Sequence, residues 1–452
     1  MFRFLQKIGS FIQAYPVILP LLLFIILTLP FFGIQPCFDG EISFGYAKEL
    51  AVNGLNSYLH ATALHPPGKA FILVVFFRML GDSIITLNFV SHLHGLFGIV
   101  GLYLLAKQLV DKYVALLSAL LLATSGIYLA NSFHLLDDYV MTIYILFALY
   151  FYAKNNKLLY NIFAGIAVLT KDTALILPAS ILIVEFFHSF EDMVFRMKPK
   201  QILRFILWSF PIAIYAIWYL YVQSNGIDVW HENIFAESKD RGAIITIILN
   251  VLNWNFLHEW ADRHRAMFFY LNFNWVYLLV GAAGIILYTK KTTIKTLSKQ
   301  LFKNTHIAKT KLTIIVFSFI YFFTIFTFQT FTAPRYGLPL YSFIYIVVAH
   351  TIIRYLHKIP FHMIVIMGLF MTTTLFFSFD PISRILWHIK PISNQQFYGF
   401  YHVIDGNDAI IYNLQYPLLL KKKTQTVLEY FKNNQVTPPT TNQLEYICQL
   451  QF

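Results

Sequence analysis

Charge is what this 452-residue chain lacks: Asp, Glu, Lys and Arg make up 12% of it, against about 25% in soluble domains. Such scarcity excludes an ordinary water-soluble globule, whose surface needs more charge. Acids are fewer than bases, 22 against 34, for a formal net charge of +12. An excess of that size suggests nucleic acid when the basic residues cluster on one soluble face. Here they fall in short segments between apolar runs, which excludes nucleic acid as a partner. Cysteine is nearly absent. Cys37 and Cys448 are the two present, and no pair has metal-ligand spacing, so a disulfide scaffold and a cysteine metal site are excluded and one bridge at most remains. No P-loop, GxGxxG or GxSxG context occurs. "HEWAD" (258–262) begins like a zinc-protease helix but ends in Asp262. No sustained repeat and no low-complexity segment is present.

Apolar sequence is abundant: 58% of residues, with a mean hydropathy of +0.60. A bilayer span needs about 20 apolar residues. By that measure the pattern predicts helices near 15–35, 85–110, 114–131, 139–153, 158–170, 173–189, 203–222, 268–289, 312–331, 337–353 and 361–379. The expected fold is an all-α polytopic membrane protein of about 11 transmembrane helices. The run from Pro16 to Ile34 is too long for a signal-peptide core and has no small-residue cleavage site, so it reads as an uncleaved anchor. Arg3 and Lys7 before it place the N-terminus in the cytosol. Lys107 and Lys112, Lys154 and Lys157, Arg196 to Arg204, Lys290 to Lys311, and Arg354 with Lys358 extend the positive-inside pattern. Anionic headgroups of the cytosolic leaflet are their expected partners.

The same alternation divides the chain. Residues 1–380 form the transmembrane module, with external loops at 36–84 and 223–267; residues 381–452 form a small, more polar external segment. Within the first loop, 42–52 and 71–80 read as short helices lying in the interface. The segment 244–257 looks similar.

Chemistry-bearing residues sit at the ends of the apolar runs. "QPCFDGEISFGYAKEL" (35–50) places Asp39 and Glu41 where the chain leaves the membrane. A carboxylate at that depth costs solvation energy and needs a partner or a role. Two readings stand: a helix cap favoured by the N-terminal dipole, or a general base at the membrane surface. "FHLLDDYVMTIYILFALY" sets Asp137 and Asp138 ahead of a helix, and capping accounts for one acid more readily than for two. In "TALHPPGKAF", His65 precedes two prolines and Lys69 follows them. In "VLTKDTALILP", Lys171 interrupts apolar sequence with Asp172 as its adjacent candidate partner. In "TFTAPRYGLPLYSF", Arg335 stands beside Tyr336 between two apolar runs, where snorkelling to lipid phosphate is its alternative role. His92 and His94, two apart on a helix, do not share a face and read as packing residues. The loop holding Trp230, His258 and Trp260 is rich in groups that stack on sugars. It is an acceptor-contact surface or an ordinary solvated loop.

Carboxylates and cations at one membrane depth suit transfer of a sugar from a phosphate leaving group. A hydroxyl acceptor needs a base, and a departing phosphate needs positive charge rather than a general acid. Arg supplies a bidentate fork, and Lys and His add point charge. Sugar nucleotides are cytosolic, whereas these groups face away from the cytosol, so the donor is expected to be lipid-linked.

These motifs, in this order, resemble the type C glycosyltransferase superfamily, in particular the dolichyl-phosphate-mannose–protein mannosyltransferases and the bacterial aminoarabinose transferases acting on lipid A. "FDGEISFGYAKEL" is similar to the family's acid pair with its trailing helix; here Gly40 follows Asp39 and Glu41 falls one place late. "HPPGKAFILVVFFRMLGDS" resembles its x-P-P turn, with His65 where relatives often carry a phosphate-binding lysine. "AGIAVLTKDTALILP" is similar to its G-x-A-x-L-T-K stretch and "PRYGLPLY" to its R-Y-x-L-P element. The resemblance implies an inverting enzyme that moves a hexosyl or pentosyl group from a polyprenyl phosphate to a glycolipid, glycan or protein hydroxyl. Asp39 would be the base, with Glu41 and Asp138 beside it. Arg335, Lys171, His65 and Lys69 would bind the donor phosphate, and Asp137, Tyr336, Trp260 and His258 would contact acceptor or sugar. Some relatives are metal-assisted, which makes Asp39, Glu41 and Asp138 a candidate oxygen set for a divalent ion. The expected location is a bacterial cytoplasmic membrane, with the site on its external side.

Three rivals compete with this reading. A transporter predicts inverted repeats and mid-membrane ionisable groups; here charges gather at one face. A polymerase or ligase of lipid-linked glycans shares the topology but uses another donor. A non-catalytic glycan binder would bind donor without turnover.

Overall fold

The computed structural model describes residues 14–29, 32–33, 39–62, 66–191, 194–195, 199–226, 252, 274–291, 305–328, 334–355, 389–391, 401–404 and 410–412. Helices dominate. In chain order they are α1 Ile18–Thr28, α2 Asp39–Thr62, α3 Gly68–Leu80, α4 Ile84–Leu109, α5 Lys112–Ala123, α6 Gly126–Asn131, α7 Asp137–Ala153 and α8 Lys157–Thr170. A 3-10 turn at Asp172–Leu175 leads into α9 Ile176–Phe187, followed by α10 Pro199–Ser224, α11 Asn274–Lys291 and α12 His306–Phe328. A second 3-10 turn, Pro334–Gly337, opens α13 Leu338–Tyr355.

Helix starts follow ordinary capping chemistry. The Ser83 side chain accepts from Thr86 N–H at α4, Asp111 accepts from Tyr113 and Val114 at α5, and Asn156 accepts from Leu159 at α8. Asp111 separates α4 from α5 with two residues between the helices, so the pair folds back as a hairpin. The expected span at 114–131 is two helices, α5 and α6, broken at Thr124–Ser125.

α7 is the centre of the bundle. Tyr139, Val140, Met141, Ile143, Ile145, Ala148, Leu149 and Tyr152 are all fully buried, and a helix apolar and buried all round is a core helix. α10, by contrast, exposes Ile206, Phe210, Ile217 and Leu220. Apolar side chains inside and out mark a protein whose solvent is lipid. Among the described residues, Ile84–Leu109, Ile202–Ser224, His306–Ile325 and Arg335–Arg354 are long and apolar enough to cross a bilayer, and four shorter apolar helices accompany them. The protein is thus an all-α polytopic membrane protein. The expected helix at 361–379 and the segment 244–257, apart from Leu252, lie outside the described residues.

The first loop holds α2 and α3. α2 is longer than its expected 42–52 helix: it starts at Asp39 and continues to Thr62, with a kink at Gly54 (φ 80°). Only glycine adopts that φ without strain. Two small antiparallel sheets complete the described chain. β1 (Phe190–Glu191) pairs with β2 (Val194–Phe195), and β3 (Ile389–Pro391), β4 (Tyr401–Ile404) and β5 (Ile410–Tyr412) form a meander in the C-terminal segment. Cys37 and Cys448 lie outside the described residues.

Candidate active site

Three helix ends and one turn converge. α7 begins with Asp137 and Asp138, preceded by Leu136 in extended conformation, and no side chain at the Leu136 cap position bonds the helix end. α8 stops where Lys171 turns extended (φ −153°, ψ 135°) before the 3-10 turn. Pro66 and Pro67 open α3, and Gly68 lets that start approach the end of α8. A Cβ on Gly68 would lie 2.7 Å from the Leu169 carbonyl oxygen. Lys69 follows at once. Arg335 and Tyr336 occupy the turn before α13.

Asp138 is the hub of this arrangement. Its Oδ1 accepts from Lys171 Nζ at 2.6 Å, and its Oδ2 accepts from Arg335 Nε at 3.3 Å, a partner 197 positions away. The Asp138 side chain is 2% exposed, those of Lys171 and Arg335 11% and 13%. Both cations lie near the Tyr336 ring, Lys171 Nζ 4.3 Å and Arg335 Cζ 5.3 Å from its centroid, within cation–π range. The Tyr336 carbonyl in turn accepts from the buried Tyr321 hydroxyl at 3.0 Å. Beside this cluster, Lys69 pairs with Asp137 and donates to Ser43 Oγ at 2.7 Å. Ser43 stands four residues after Asp39 on α2, which places both positions on one helix face.

The five ionisable side chains that the structure brings together are thus Asp137, Asp138, Lys69, Lys171 and Arg335. Among the described side chains, Asp138 is shared by two cations, Lys171 and Arg335. Lys171 does not pair with Asp172: Asp172 is exposed and accepts from the Thr173 N–H, whereas Asp138 takes the lysine. A buried carboxylate satisfies a buried ammonium better than a solvated neighbour does. Capping of α7 therefore does not account for Asp138, whose two oxygens both serve cations.

Asp39 and Glu41 lie in the first turn of α2, but their side chains, like His65, His258 and Trp260 as a whole, lie outside what the structure describes. Among the described residues no three His, Cys, Asp or Glu side chains gather as metal ligands. Asp138 fits a divalent cation poorly, since two cations already occupy its oxygens. His94 is buried, bonding Val90 O and the Tyr144 hydroxyl, while His92 packs against Phe32 and Phe133; both are packing residues. Two residues escaped sequence reasoning. Ser43 had a signal in its i+4 spacing from Asp39, whereas Tyr321, one tyrosine inside an apolar span, had none.

Residues 64–218 match the family model described as dolichyl-phosphate-mannose-protein mannosyltransferase. Over that stretch the chain resembles this family. The matched stretch contains Lys69, Asp137, Asp138 and Lys171, while Asp39 and Arg335 lie outside it. An uncharacterized protein of Aquifex aeolicus (strain VF5) is 29% identical over 168 residues, 34% of this chain and 32% of that protein. Among solved structures, ArnT from Cupriavidus metallidurans in the apo state is 15% identical with a TM-score of 0.47, over 77% of this chain and 60% of that one. The same protein bound to undecaprenyl phosphate gives 15% and 0.48, over 75% and 60%. The oligosaccharyltransferase AglB from Archaeoglobus fulgidus, in complex with an inhibitory peptide and a dolichol-phosphate, gives 13% and 0.46, over 78% and 52%. The chain therefore spans about a third of the curated relative and 60% or less of these solved chains.

Proposed function

We propose that the protein is an integral-membrane glycosyltransferase that moves a sugar from a polyprenyl-phosphate donor to a hydroxyl acceptor. The observation that carries this reading is the Lys171–Asp138–Arg335 cluster, assembled at one end of the bundle from three distant parts of the chain. A sugar on a polyprenyl phosphate is a phosphodiester with one negative charge, which the Lys171 ammonium and the Arg335 guanidinium suit as partners. The leaving polyprenyl phosphate is a monoester with a charge of about −1.5 to −2 near neutral pH. Two largely buried cations, Lys171 and Arg335, stabilise that product more than the donor, which is the requirement for lowering the barrier.

In this reading Asp39, at the start of α2, takes the proton of the acceptor hydroxyl. The acceptor oxygen attacks the anomeric carbon opposite the phosphate, the bond from that carbon to the phosphate oxygen breaks, and its electron pair leaves with the phosphate. The anomeric configuration inverts. Arg335 and Lys171 hold the phosphate, and Asp138 serves these cations rather than the sugar. Lys69 is turned toward Asp137 and Ser43 and so orders α2 and α7 against each other. Metal ligation has no support from the surroundings of Asp138. The prenyl tail lies among the exposed apolar helix faces, the acceptor is a glycolipid, glycan or protein, and the site opens on the external face of a bacterial cytoplasmic membrane.

The decisive assay uses purified protein in proteoliposomes with a monosaccharide polyprenyl phosphate and follows release of polyprenyl phosphate. Turnover is expected, and Asp39→Asn is expected to abolish it while leaving expression and Tm unchanged. Wild-type turnover in that variant removes the base assignment. Turnover only with an oligosaccharide diphosphate donor replaces the reading with that of a glycan polymerase or ligase.

A further inference from the structure

The helices that build the site are joined again at their other ends. Tyr152 lies 14 residues after Asp138 on α7, about 21 Å along the helix at 1.5 Å per residue. There its hydroxyl donates to Glu185 Oε1 at 2.9 Å, and Lys309 Nζ reaches Glu185 Oε2 at 2.7 Å. All three are buried: Tyr152 is fully enclosed and the Glu185 and Lys309 side chains are 6% and 5% exposed. The three residues come from α7, α9 and α12. Each of these helices also reaches the candidate site: α7 carries Asp138 in its first turn, α9 follows Lys171 and its 3-10 turn, and α12 carries Tyr321, which holds the Tyr336 carbonyl beside Arg335. Tyr152 and Trp208 pack edge to face at 4.9 Å, which adds α10 to the junction.

An apolar interface between helices tolerates sliding, because one methyl contact replaces another. A charged carboxylate bonded to two fixed donors does not, since a displaced partner leaves a charge buried and unpaired. We propose that Glu185 is a positioning residue: with Tyr152 and Lys309 it fixes the axial register of α7, α9 and α12, and through Tyr321 it sets where Arg335 meets the donor phosphate. The phosphate role of Arg335 rests on the proposed function; the register role does not.

The test replaces the junction by apolar groups of similar size, Tyr152→Phe, Glu185→Leu and Lys309→Met together, in full-length protein in detergent. Replacing a buried ionic group by packed apolar residues leaves stability near its original level, so Tm is expected to stay close to wild type. Amide hydrogen exchange at Arg335, Tyr336 and Gly337 is expected to speed up, and affinity for a polyprenyl phosphate probe to fall about fivefold to tenfold. Tyr160→Phe serves as control: its hydroxyl bonds the Trp208 carbonyl nearby but not Glu185, and it is expected to leave both readouts unchanged. Wild-type exchange at that turn in the triple variant overturns the proposal. If the triple variant does not fold, Tyr152→Phe alone is read the same way. If Arg335→Ala leaves probe affinity unchanged while the triple variant still alters exchange, the donor reading fails and the register role stands.

Discussion

At the residue scale the central quantity is the charge that two cations share. Asp138→Asn keeps the volume of the side chain but leaves Lys171 and Arg335 facing a neutral amide in a mostly buried place. Breaking a buried ion pair from one side costs about 3–5 kcal/mol, so a clear fall in Tm is expected together with loss of transfer. Wild-type Tm would show that water reaches both cations. Arg335→Lys keeps the positive charge but loses the planar fork. Its expected effect is a donor KM raised about tenfold, the loss of one charge-assisted hydrogen bond, with acceptor KM unchanged. An equal rise in both constants would place Arg335 in general architecture instead. The pairing of Asp138 was not legible in the sequence, where Asp172 adjoins Lys171 and offers itself as partner. Sequence proximity loses here to a contact 33 positions away, because the fold buries Asp138 and leaves Asp172 in the open.

At the scale of elements, glycine governs how closely α3 approaches α8. Gly68→Ala would bring a methyl carbon within 2.7 Å of the Leu169 carbonyl oxygen. The backbone must then shift, at a cost of about 1–3 kcal/mol, and Lys69 moves with it. The expected result is lower activity with a modest fall in Tm, measured in the proteoliposome assay and by thermal unfolding. Unchanged activity would mean that Lys69 reaches Asp137 from more than one backbone position. Helix existence was well read from apolar runs, as the match of 85–110 to α4 and 139–153 to α7 illustrates. Breaks were not. The stop at Thr124–Ser125 and the continuation of α2 through Gly54 depend on what packs beside each segment, and hydropathy carries no such information.

At the scale of the whole molecule, membrane location follows from apolar surfaces on both sides of the helices, and the expected orientation is read from where the lysines fall. The expected topology puts Lys154 in the cytosol and the start of α7 outside. A membrane-impermeant thiol reagent applied to intact cells, on a variant lacking Cys37 and Cys448, is expected to leave Lys154→Cys unlabelled and to label Asp82→Cys, at an exposed loop position. The reverse pattern would invert the topology and move the site to the cytosolic face, where a nucleotide sugar becomes an accessible donor.

By itself the sequence determined that the chain is a helical membrane protein and that its few charged residues gather where apolar runs end. The cause is solvation: a charge in lipid is costly enough that its position is constrained along the chain. It also nominated Asp138, Lys69, Lys171 and Arg335, one at a time. Only the tertiary structure decided which acid holds which cation, that Lys69 belongs to Asp137 and Ser43, and that Glu185 joins the far ends of the same helices. Those pairings depend on the rotation and register of helices around one another, which packing in three dimensions sets and linear spacing does not encode.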